Sequence, residues 1–258
     1  MVAKRSLIVA NWKMYKTVLE SVAYAKELMR QMESAGAPAT DQVICPTIPA
    51  LHEVKRRLSG TSIRVGAQNL DLGREGANTG AVSAYLVREA GADCVILGHS
   101  ERRSLYGEDD ALVADKTRAA LQAHLLPIVC VGESHQERLE GETDAVIRRQ
   151  IGAVLRVLDD ESPSDLIFAY EPLWAIGTGL VPEPEEANRV AAVVHDTVRA
   201  ERPQFDSVVR ILYGGSVNPG NVAGFAAQPL LDGALVGGAS LAVDQWMLLN
   251  QRWGEVRS

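Results

Sequence analysis

Five short groups of polar residues in this chain each follow an apolar run, and their types are those used in proton transfer and anion binding. They are Asn11 with Lys13, the block Gly98-His99-Ser100-Glu101-Arg102-Arg103, Glu171, Gly214-Gly215-Ser216 and Gly237-Gly238-Ala239-Ser240. A carboxylate can take a proton from carbon, an imidazole can donate to a neighbouring oxygen, and a lysine can sit beside the negative charge that results. Glycine-rich turns with a serine expose backbone N–H groups that suit a dianion such as phosphate. Taken singly, each group has an ordinary structural reading: a solvated lysine, a hydrogen-bonded histidine, a glycine turn, a buried structural glutamate. Their shared position, directly after runs of β-forming residues, is what argues for one site.

The elements that must position these groups follow from periodicity. Runs with strand composition occupy residues 7–10, 43–45, 63–67, 94–97, 127–131, 166–170, 208–213 and 233–236. Helical periodicity fills the intervals, as at 111–123, 145–158 and 185–200, and Thr17-Val18-Leu19-Glu20 has the pattern of a capping box opening a helix. Eight such runs alternating with eight helical segments predict an α/β fold, a single (β/α)8 TIM barrel over residues 1–258 with no linker to divide it. Closing the barrel brings the strand ends to one mouth, the face where this architecture carries its active site. A doubly wound sheet is the alternative, but it asks for a GxGxxG turn after the first strand, where this chain has Asn11-Trp12-Lys13.

Composition narrows the partners. A formal net charge of -7 offers no basic face to nucleic acid or an anionic membrane. No apolar run approaches about 18 residues, and the first residues are too charged for a signal peptide, so a cytoplasmic protein is expected. Cys45, Cys94 and Cys130 lie in or beside apolar runs and read as buried free thiols, while the histidines lack zinc-site spacing, so no metal is expected. Without a Walker-type Gly-Lys motif, the anion is expected to be a small sugar phosphate rather than a nucleotide.

The residue types also suggest an order of events. Glu171 is followed by Pro172-Leu173-Trp174-Ala175-Ile176-Gly177-Thr178-Gly179, a hinged apolar segment able to desolvate the carboxylate and strengthen it as a base. His99 precedes a polar helix start whose dipole disfavours imidazolium, leaving a neutral donor. With Lys13 and Asn11 beside the developing oxyanion, the set describes proton abstraction next to a carbonyl through an enediolate. Such isomerisation of a hydroxy-aldehyde phosphate to a hydroxy-ketone phosphate needs neither nicotinamide nor metal, so no cofactor is expected.

The motifs VGAQN at 65–69, GHSERR at 98–103, CVGE at 130–133, AYEPLWAIGTG at 169–179 and YGGSV at 213–217, in this order, resemble the triosephosphate isomerase family. The resemblance runs from Asn11-Trp12-Lys13-Met14 to 235–241. It implies interconversion of D-glyceraldehyde 3-phosphate and dihydroxyacetone phosphate, with Glu171 as base, His99 as electrophile, Lys13 stabilising charge, Asn11 orienting oxygen, Ser100 supporting the histidine turn and Glu101 as a buried carboxylate nearby. It implies phosphate binding at Gly177, Ser216, Gly237 and Gly238, with Lys13 contributing charge, and lid hinges at 172–174 and 178–180. A homodimer formed through the loop from Gly76 to Ser83, with Thr79 reaching the partner's site, is implied as well.

Within that loop, Asn78 replaces the family's usual aromatic and Ala81 its usual glutamate, the partner of the arginine in GHSERR; Tyr15 and Leu180 depart elsewhere. Arg102 must then find another partner, and a weaker dimer is expected. Three other functions compete: a Schiff-base lyase, for which Lys13 is the lysine at a strand end; a non-catalytic binding protein; and isomerisation of a four-carbon ketose phosphate.

Overall fold

The computed structural model describes residues 5–159, 165–175 and 181–257. Its strands are β1 (Leu7–Asn11), β2 (Asp41–Cys45), β3 (Arg64–Ala67), β4 (Cys94–Leu97), β5 (Leu126–Val131), β6 (Leu166–Tyr170), β7 (Val209–Tyr213) and β8 (Gly233–Val236). Each pairs in parallel with the next, and β8 returns to β1 in the register Leu7↔Gly233 to Ala10↔Val236, giving a closed eight-stranded barrel. The predicted fold class is therefore present, with strand limits within two residues of those read from composition.

Successive side chains of a strand point to opposite faces, and the two faces here join different cores. Leu7, Val9, Val43, Cys45, Cys94, Ile96, Ile128, Cys130, Ile167, Ala169, Leu212 and Leu235 fill the barrel interior. The alternate residues, including Ile8, Ala10, Ile44, Leu97, Phe168 and Tyr170, pack outward against helices. Strand β3 places Gly66 at the interior, and a Cβ there would stand 2.6 Å from the Cys45 sulfur and 2.8 Å from that of Cys94. The two thiols thus occupy the space that a larger β3 residue would take. All three cysteines are buried and free, as expected.

The strands are joined by α1 (Val18–Ala35), α2 (Ile48–Arg57), α3 (Ala84–Glu89), α4 (Ser100–Tyr106), α5 (Asp110–Gln122), α6 (His135–Leu139), α7 (Thr143–Leu155), α8 (Pro184–Glu201) and α9 (Val222–Ala226), and α10 (Val243–Arg257) follows β8. Ten helices stand among the described residues rather than eight, because β4 and β5 are each followed by two. Left-handed Gly107 (φ 68°) ends α4, and the Asp109 side chain caps α5 by accepting from Leu112 N. Such local caps restart a helix within a few residues. The Thr17–Glu20 capping box opens α1 as expected. After β7, by contrast, the helix does not follow Ser216 directly. The Asn218 side chain accepts from the N–H groups of Gly220 and Asn221, which holds a turn and delays α9 to Val222.

Behind the mouth, Arg102 has found its other partner. Its Nε lies 2.5 Å from Glu108 Oε1, which also accepts from Lys116 Nζ at 2.7 Å, and Lys116 reaches Asn69 Oδ1 at 3.0 Å. Glu108 and Lys116 are both buried, so loss of the carboxylate would strand a cation away from water. Glu108→Ala is therefore expected to lower unfolding free energy by about 3–5 kcal/mol in denaturant titration. Pairing Glu108→Leu with Lys116→Met should recover much of that loss.

Candidate active site

Lys13 is held at the mouth in an unusual backbone conformation. It follows Asn11, the last residue of β1, with φ 50°, a left-handed conformation costing a non-glycine residue about 1–2 kcal/mol. Four contacts hold it. Its N–H donates to Asn11 Oδ1 at 3.0 Å, its carbonyl accepts from Gln68 Nε2 at 2.8 Å, and its ammonium meets Glu101 Oε1 at 2.8 Å. Its stem passes Gly237, where a Cβ would lie 3.3 Å from Lys13 Cε.

His99 leaves β4 through Gly98 (φ 64°) and is the N-cap of α4. Arg103 secures this turn by donating to the Gly98 carbonyl at 2.9 Å and to the Cys130 carbonyl on β5 at 3.3 Å. The His99 Nδ1 accepts from Glu101 N at 3.2 Å, so that nitrogen carries a lone pair. A neutral ring must then carry its proton on Nε2, which points at Glu171 Oε1 from 3.1 Å. At this helix start, a specific backbone N–H therefore occupies one nitrogen of the ring and leaves the other facing Glu171.

Glu171 follows β6 directly and is almost wholly buried. Its second oxygen accepts from Ser100 N at 2.9 Å. Ser100 supports the turn through this amide and through its carbonyl, which accepts from Ser104; its own hydroxyl makes no hydrogen bond. Two glycines let the neighbouring strand ends approach Glu171. A Cβ on Gly214 would stand 2.7 Å from Glu171 Cγ, and one on Gly132 would strike the Glu171 carbonyl at 1.8 Å. Beneath the carboxylate lies Cys130, whose thiol is pushed well up by burial and further by the charge of Glu171. It stays a neutral packing group at neutral pH.

A cavity of about 330 Å³ gathers Asn11, Lys13, His99, Glu171, Ser216, Gly237 and Gly238. Gly238 opens a single 3-10 turn ending at Ser240, whose hydroxyl donates to the Gly237 carbonyl at 2.6 Å. The seven residues present a carboxylate, an imidazole Nε2, a lysine ammonium and a glycine-rich rim. Gly177 and the far hinge expected at 178–180 lie outside the described residues. One expectation needs correction: Glu101 touches Lys13 and the histidine turn, yet its side chain is 43% exposed. It occupies the first turn of α4 at the rim, on a neighbouring cavity of about 720 Å³ shared with Asn11, Lys13 and His99.

Sequence reading missed the groups that act by contact with others. Gln68 fell within the VGAQN motif with no role attached, and Cys130 was read only as a buried thiol, without its place beneath Glu171. Glu133 is fully buried and accepts from Trp174 Nε1 at 2.8 Å and Tyr170 OH at 3.2 Å, while the Arg138 guanidinium sits 4.4 Å from the Trp174 ring centroid. Burial raises the Glu133 carboxyl above its ordinary value despite these donors. The near end of the segment after Glu171 is thus anchored to β5's exit, a pairing that no local sequence signal announces.

The family model described as Triosephosphate isomerase matches residues 6–252. The chain is 48% identical over 236 residues to the triosephosphate isomerase of Symbiobacterium thermophilum, covering 91% of each chain. It is 43% identical over 244 residues to that of Carboxydothermus hydrogenoformans, covering 94% of this chain and 96% of the relative. The crystal structure of triosephosphate isomerase from Bartonella henselae superposes with a TM-score of 0.85 at 33% identity, covering 96% of this chain and 99% of the other.

The crowding around Glu171 can be tested without touching a charged group. Gly214→Ala adds a methyl against Glu171 Cγ, and a displacement of even 1 Å at a reacting group costs about 100-fold. The variant is expected to fold with unchanged circular dichroism and to lose about that factor in turnover.

Proposed function

The chain belongs to the triosephosphate isomerase family and interconverts D-glyceraldehyde 3-phosphate and dihydroxyacetone phosphate, and from that premise we propose the role of each residue at the mouth. Glu171 removes a proton from the carbon beside the carbonyl. The C–H electron pair becomes the carbon–carbon double bond, and the carbonyl pair moves to oxygen, giving an enediolate. His99 Nε2–H donates to that oxygen, Lys13 supplies the facing positive charge, and Asn11 orients the substrate. His99 passes its Nε2 proton to that oxygen and takes one from the hydroxyl on the neighbouring carbon, which becomes the new carbonyl, while Glu171 returns its proton to the former carbonyl carbon; the isomerisation is complete with no net redox change. Ser216 and the backbone of Gly237 and Gly238 hold the phosphate, with Lys13 neutralising part of its charge. The whole chain works as one catalytic domain in the cytoplasm; no helix among the described residues is long and apolar enough to cross a membrane.

The observation that carries this reading is the 3.1 Å contact between Glu171 and the Nε2 of a histidine whose Nδ1 is an acceptor, in a cavity that also holds Lys13. The relatives compared are named for the triose reaction, so nothing favours the four-carbon substrate. Purified protein without added metal or cofactor is expected to isomerise glyceraldehyde 3-phosphate. Glu171→Gln should lower kcat by about 10²–10⁴-fold, the usual share of a general base. Full activity in that variant would refute the assignment of the base.

The working form is proposed to be a homodimer. Met14 (94% exposed), Leu105, Tyr106, Tyr15 and Ile48 lie uncovered on or beside the 720 Å³ cavity. Residues 72–80 form an exposed loop whose base is closed by Asp71 N donating to the Val82 carbonyl at 2.9 Å. The loop of a second copy suits that cavity, and fully burying a Met or Leu contributes about 1.5–3 kcal/mol each. Because Ala81 offers Arg102 no carboxylate, the interface rests on apolar burial. Sedimentation is expected to show two-chain particles at micromolar protein that dissociate on dilution, and single chains for Met14→Asp. A dimer persisting at nanomolar protein would remove the claim of weakness, and a monomeric, fully active wild type the claim of a dimer.

A further inference from the structure

We propose that Gln68 is a positioning residue for the isomerisation, holding Lys13 in its left-handed conformation so that the ammonium faces the substrate. This rests on the role given to Lys13 above. Gln68 stands one residue beyond the end of β3, and its Nε2 donates to two carbonyls, Lys13 O at 2.8 Å and Cys45 O at 3.0 Å. Both neighbours are acceptors, so the amide orientation is settled: only the NH₂ group can face them. Cys45 ends β2, and its carbonyl also accepts from Trp12 N at 3.1 Å. The side chain therefore joins the exits of three consecutive strands at the backbone of the catalytic cation.

The reason for such a tie is conformational. Lys13 at φ 50° is disfavoured relative to ordinary backbone, and its ammonium, paired with Glu101, keeps its place at the border of the two cavities only while that backbone is held. The Asn11 side chain holds the Lys13 N–H, and Gln68 holds the carbonyl on the other side of the same residue. From this pinned backbone the side chain runs along Gly237, where a Cβ would lie 3.3 Å from Lys13 Cε. Alanine or methionine at 68 would leave the Lys13 carbonyl without this donor and permit the loop to relax.

The test is a double-mutant cycle. Gln68→Met keeps the side-chain length and removes both donors; Gln68→Glu keeps the shape and turns donors into acceptors, and carries the test should the first variant fail to fold. Each is compared at a protein concentration where sedimentation shows the association state of the wild type. In the wild-type background, either change is expected to lower kcat/KM by about 100-fold and to raise KM for the dianionic substrate. In a Lys13→Met background, Gln68→Met should lower it by less than about 3-fold, since a tether has nothing left to position. Direct calorimetric titration with glycerol 3-phosphate provides the same cycle without turnover, its affinity falling only where Lys13 is present. Equal losses in both backgrounds, or none in either, overturn the proposal. Should Lys13→Met match the wild type, the role of Lys13 itself fails; a crippled Lys13→Met beside an unaffected Gln68→Met refutes the tether alone.

Discussion

Closure of the first strand on the last is the constraint from which the site follows. The ladder from Leu7 to Ala10 against Gly233 to Val236 requires a close backbone approach, and a Cβ on Gly233 would come within 1.7 Å of the Leu7 carbonyl. Once the ring is closed, the direction common to all the strands sends every carboxyl end to one mouth. Residues separated by more than 150 positions, such as Lys13 and Glu171, then face one cavity. The same closure creates an interior that must be filled, and three cysteines with small and branched apolar residues fill it.

Around the mouth, polar contacts select one state for each functional group. A backbone N–H on Nδ1 determines which nitrogen of His99 carries the proton. Backbone and amide contacts at Lys13 offset an unfavourable φ, and glycines at 132 and 214 make room for Glu171. The buried thiol of Cys130 stays neutral against the carboxylate, so it adds packing without a second negative charge. These are means of preorganisation: the groups stand ready before substrate arrives, which lowers the reorganisation needed in the transition state.

At the surface beside the mouth, the balance is different. Arg102 turns inward to Glu108 and stacks over Tyr106 at 4.5 Å, so its charge is met within the chain. Met14 and Leu105, by contrast, stand exposed among the described residues. This surface, apolar at its centre, borders the cavity that Lys13, His99 and Glu101 line.

Strand composition, helical periodicity and the polar groups after the strands were legible because they are local: a β-branched run, a capping box and a glycine turn each carry their cause within a few residues. From them came the α/β barrel, the shared mouth, and the candidates Asn11, Lys13, His99, Glu171, Ser216, Gly237 and Gly238. Contacts between distant segments left no such trace. That Gln68 reaches the Lys13 carbonyl, that Glu133 receives Trp174, that Ser100 acts by its amide, and that Glu101 sits at an exposed rim depends on where the closed ring brings separate strands. The number of helices after β4 and β5 and the delayed start of α9 were likewise decided by turn hydrogen bonds in their folded setting. The chain by itself determined which chemical groups stand at the strand ends, since that is a matter of order along one dimension. Only the tertiary structure decided their partners and protonation pattern, because hydrogen bonds form between atoms that closure in three dimensions makes neighbours.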